Sequence, residues 1–111
     1  MATSLPERLQ ADLLTARKAR DEAAVTALRA TLSAVANAEA APAPVISSAT
    51  PPVTGLVEHE RLTLDADDHS RILHEEMRVR VEAGEEYARL GQHDAAARLQ
   101  AEILVLQRYA P

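Results

Sequence analysis

The sequence predicts an all-α protein: two antiparallel helical hairpins, about four helices in all, joined by a proline-rich loop and packed as a small helical bundle. Three observations carry this. Ala, Leu, Glu and Arg dominate the chain, and all are strong helix formers. Only three glycines occur in 111 residues, too few for a turn-rich β fold. Apolar residues recur at three- and four-residue intervals in four separate stretches.

The first helix is expected over about 5–19. Ser4-Leu5-Pro6-Glu7 has the form of a capping box with an early proline. Leu5, Leu9, Leu13 and Ala16 follow at helical spacing, with Leu14 widening the stripe. Arg17, Lys18 and Arg20 complement the negative end of the helix dipole. Asp21 is the natural cap of a second helix over about 22–41, whose stripe is Val25, Leu28, Leu32 and Val35. Pro42 stops it. Residues 42–62 form the expected flexible linker, holding Pro42, Pro44, Pro51 and Pro52. A third helix should open at Asp65 and run to about Leu90, with Gly91 as its stop. A fourth, capped by His93 or Asp94, should run over about 94–109 with Leu99, Ile103 and Leu106 inward and Leu104 and Val105 beside them.

Composition excludes several chemistries. The length suits a single domain, typically about 100–150 residues. With no Cys, there is no thiol catalysis, disulfide scaffold or cysteine metal site. Two tyrosines are the only aromatic residues, which argues against base-stacking platforms. The start of the chain lacks the basic-then-apolar form of a signal peptide, and no run approaches a membrane span, so a cytoplasmic protein without membrane contact is expected. Net charge is −5, carried entirely by residues 42–111, against the usual balance of a nucleic-acid binder.

Helical spacing exposes two misplaced charges. The stripe of helix 2 continues to Glu39. The stripe of helix 3 reads Leu73, Met77, Arg80, Gly84, Tyr87. Burying either charge alone costs several kcal/mol, roughly, so a Glu39–Arg80 ion pair is expected. The alternative sets Glu39 beyond the core, with Arg80 reaching to water.

No catalytic or metal constellation emerges. The four histidines lack ligand spacing, and Glu75-Glu76 and Glu85-Glu86 are neighbours that point apart on a helix. Arg71, Arg78 and Arg80 form a possible phosphate strip, but Glu75, Glu76 and Glu82 favour pairs along the helix. Neither a catalytic residue, a metal nor a cofactor is expected.

The order of several short segments resembles the GatB/YqeY family. These are Leu28-Arg29 with Asn37-Ala38-Glu39; Leu64-Asp65, Arg78, Arg80 and Tyr87; Gly91 with Asp94; and Ala101-Glu102-Ile103, Leu106 and Tyr109-Ala110-Pro111. The resemblance implies a helical domain shared by stand-alone YqeY-like proteins and the tail of the GatB subunit of glutamine-dependent tRNA amidotransferase. With it comes a family label of carbon–nitrogen ligase with glutamine as amido-N-donor. It places Glu39 and Arg80 on recurring positions and, with the arginine strip, marks Arg29, Asn37, Arg71, Arg78 and Tyr87 as a candidate binding surface. Three departures stand out. Gly84 replaces an aliphatic residue, Gln92 replaces an arginine, and the chain stops where the family continues into a second helical subdomain, expected to be absent here. The expected function is thus an accessory or tRNA-handling factor, with tRNA or an amidotransferase subunit as partner and without catalysis of its own. The alternative is a helical protein–protein interaction module with no tRNA role, docking through a helix face.

Overall fold

The computed structural model describes residues 3–40 and 62–111. Among these are four helices and no strand: α1 Leu5–Ala19, α2 Glu22–Ala40, α3 Ala66–Arg89 and α4 His93–Gln107. The proline-rich linker lies outside the described residues. Its flanks meet, because the Leu62 N–H donates to the Glu39 carbonyl at 2.8 Å.

Local chemistry sets most helix ends. Ser4 accepts the Glu7 N–H at 3.3 Å, and α1 closes on Arg20, whose left-handed backbone (φ 57°) returns its N–H to Ala16 and Arg17. Asp21 then caps α2 by accepting the Ala24 N–H at 3.1 Å. In α3, Asp65 and Asp68 form a reciprocal capping box, with bonds of 2.9 and 3.0 Å. The Asp68 N–H holds the Asp65 carboxyl below the usual carboxylate range. Gly91 turns the chain at φ 76°, as its expected role as a stop requires.

Helix α4 departs from expectation at both ends. It begins at His93, Gln92 stands at the cap without a side-chain bond, and Asp94 lies in the first turn. It ends at Gln107 because Arg108, Tyr109 and Ala110 donate three residues back, to Val105, Leu106 and Gln107. This tightening swings Tyr109 out of helical register and onto α1. There its phenol donates to Asp12, and the Arg8 guanidinium sits 5.1 Å above its ring.

The core gathers where α2 meets α1, α3 and α4. Leu9, Leu28, Leu73 and Leu106 are almost fully enclosed. Each contributes about 1.5–3 kcal/mol by leaving water. The buried line of α2 is turned from the expected one: Ala24, Ala27, Leu28, Thr31 and Val35 face inward, while Val25 and Leu32 pack at the margin. α2 is covered from more than one side, so its small residues sit where neighbouring helices come nearest. The Thr31 hydroxyl is satisfied within the helix, on the Ala27 carbonyl at 2.8 Å. Leu14 and Leu104, expected to widen their stripes, face solvent instead.

Past Arg80 no residue of α3 is buried, and α4 has no buried residue before Ile103. The far half of this hairpin therefore projects from the core. Gly84 lies within it, and an added Cβ would meet only Leu99 Cβ, at 3.9 Å. Close approach does not require glycine here. Gly84→Ala should raise stability by about 0.5–1 kcal/mol in denaturant unfolding, through helix propensity.

Burial, and then the Asp12 carboxylate, push the Tyr109 phenol above its ordinary range. The folded chain therefore holds this proton more tightly than the unfolded chain. The stability so contributed is complete below about pH 10 and declines as pH rises further. Stability measured from pH 8 to 11 should fall at the alkaline end, and Tyr109→Phe should flatten that fall.

Candidate functional site

The buried charge lies at the joint between core and projecting hairpin. Arg80, on the inward line of α3, is only 8% exposed. Its Nε donates to Glu102 Oε1 of α4 at 2.9 Å, and its Nη1 donates to the Glu76 carbonyl oxygen at 2.9 Å and to Glu76 Oε1 at 3.2 Å. Both carboxylates are themselves mostly enclosed. The partner of Arg80 is thus not the expected Glu39. α3 makes its main packing surface with α4, so the acid that meets Arg80 comes from the facing turn of α4. Sequence reasoning missed Glu102, although a signal existed: Leu99, Glu102, Leu106 and Tyr109 follow a three–four–three spacing that puts a carboxylate on an apolar line.

The remaining charges of α3 pair along its surface. Arg78 donates through Nε to Glu75 at 2.9 Å and through Nη1 to Glu82 at 2.6 Å. Arg71 pairs with Asp68, and Arg89 with Glu86. Glu75 and Glu76 diverge as helical geometry demands, one to exposed Arg78 and the other to buried Arg80. The arginine strip is therefore already matched by carboxylates.

All five residues of the candidate binding surface are exposed: Arg29 and Asn37 on α2, and Arg71, Arg78 and Tyr87 on α3. A groove of about 340 Å³ between α2 and α3 takes in Arg71 with Ala34, Ala38, Leu64, Ile72 and Glu76, but none of the other four. Among the described residues no group of three His, Cys, Asp or Glu is placed to hold a metal, and no helix is long and apolar enough to cross a membrane. His74 Nδ1 lies 2.7 Å from the Ser70 carbonyl within its own helix.

These features define a four-helix module whose enclosed charges join one helix to another. A family model described as Yqey-like protein matches residues 6–111, and the chain belongs to this YqeY-like family. No curated protein and no solved structure gives a match.

Arg80 would stay largely enclosed after loss of Glu102, with Glu76 as its one carboxylate among the described residues. Glu102→Ala should therefore cost about 3 kcal/mol, whereas Glu102→Gln, which keeps an acceptor, should cost about half as much. Urea unfolding of both variants, with Arg80→Met and the double variant, gives the coupling. Additive losses would show that the two side chains do not act as a pair.

Proposed function

We propose that this chain is a non-catalytic helical accessory module related to glutamine-dependent tRNA amidotransferase, acting by binding rather than by ligation. The observation that carries the reading is family membership over residues 6–111. The geometry supports the non-catalytic part of the reading, since the charged groups on and beneath α3 are spent on joining helices and on pairs along one helix. The carbon–nitrogen ligase label, with glutamine as amido-N-donor, would then describe the enzyme system and not chemistry performed by this chain.

Contact with tRNA, on this reading, is carried by cations that have no carboxylate partner among the described residues. Arg17, Lys18 and Arg20 stand together at the end of α1, and Arg29 is exposed on α2. They are better placed for phosphate than Arg71 and Arg78, which already hold carboxylates. A second reading, a protein–protein module without a tRNA role, is favoured by the exposed Val79, Tyr87 and Leu90 on the projecting hairpin.

Titration with unfractionated tRNA at low salt should give binding that weakens as salt is added, reaching the range of about 10⁻⁴–10⁻⁶ M at physiological salt. Replacing Arg17, Lys18 and Arg20 by serine should lower both affinity and salt slope. Absence of binding at low salt would overturn the tRNA reading, and glutamine-dependent amide formation by the purified chain alone would overturn the non-catalytic one.

A further inference from the structure

One face of α3 is an interface at one end and open at the other. Ile72, Val79, Ala83 and Leu90 fall within about 40° of one another around the helix, with Tyr87 beside them. At the Ile72 end, Ala34 and Ala38 of α2 stand across the groove. From Val79 onward the same face opens to solvent, with Val79 47% and Leu90 62% exposed. Scattered apolar residues on a surface are ordinary, but a line of them extending an existing helix–helix contact marks a place where another helix fits.

Charge narrows the occupant. Glu75, Glu82 and Glu86 run alongside this line, also within about 40° of one another; Arg78 is shared by the first two and Arg89 holds the third, so the row keeps one net negative charge. Between Ala66 and Gln107 nine acidic residues stand against five arginines, whereas residues 3–40 carry five of each sign. The field around the hairpin is negative, which attracts a cationic partner and repels a phosphate backbone. The two alanines of α2 lie four residues apart, so a helix with small residues inward already seats on this face.

The geometry points to the Val79–Ala83–Tyr87–Leu90 face as a docking site for an amphipathic helix of a protein partner. That helix presents small and branched apolar residues inward and lysine or arginine along the flank that meets the glutamate row. The assignment rests on reading the chain as a binding module and is independent of the tRNA link.

The test uses the isotope-labelled full chain and a synthetic 15-residue helical peptide with a Leu/Ala inner face and Lys flanks. Saturable amide shifts centred on 79–90 are expected. Leu90→Glu and Tyr87→Glu should each weaken binding about tenfold or more, with unchanged thermal unfolding. Leu14→Glu, on exposed α1, should leave binding unchanged. A peptide with the same inner face and Glu flanks should bind at least tenfold more weakly, by roughly the steering and repulsion expected of like charge. Absence of saturation, shifts centred elsewhere, or equal binding of the Glu-flanked peptide would overturn the assignment. So would dimerisation lost in Leu90→Glu, which makes a second copy the occupant, or tRNA shifting the same residues. Loss of tRNA binding with peptide binding intact would overturn only the amidotransferase reading.

Discussion

The structure depends on placing one arginine where an apolar residue would ordinarily stand. Arg80 is enclosed between α3 and α4, and an enclosed guanidinium without partners is costly by several kcal/mol. Glu102 supplies a carboxylate from across the helix pair, while Glu76 supplies a second oxygen and a carbonyl from the preceding turn. These bonds have direction, and leucines in the same places would not. They tie one turn of α3 to one turn of α4 at the edge of the core that holds Leu73 and Leu106.

From that joint the molecule divides in two. Toward α1 and α2 the packing is dense and apolar, and Tyr109 closes it by reaching from the end of the chain to Asp12. Away from the joint α3 and α4 run on without burying another residue, and Gly84, with room for a methyl group, shows how lightly that part is packed. This part adds little to the core and leaves Val79, Tyr87 and Leu90 exposed beside acidic side chains.

The arginines of α3 show why type and spacing alone do not define a binding surface. Arg71 and Arg78 are exposed, yet each already holds carboxylates three or four residues away. An exposed pair of this kind adds little to stability, but its carboxylate cancels the positive charge an incoming phosphate would meet. Arg17, Lys18 and Arg20, which the sequence marks as complements to a helix end, and Arg29, which it marks for a binding surface, have no carboxylate partner among the described residues.

Much of the fold could be read from one dimension, because the forces that make it are local. Ser4, Asp21, Asp65 and Gly91 act on backbone within a few residues of themselves, so they mark helix ends wherever the helices lie in space. The inward position of Arg80 was equally visible from its place on a 3.6-residue stripe. Its partner was not. Spacing says that a buried charge needs an opposite charge, but only the packing of α3 on α4 selects Glu102 over Glu39. The inward turn of Ala24, Ala27 and Thr31 has the same origin. Hydropathy favours Val25 and Leu32, whereas close approach of neighbouring helices favours the small side chains, and that approach exists only once the tertiary structure has formed.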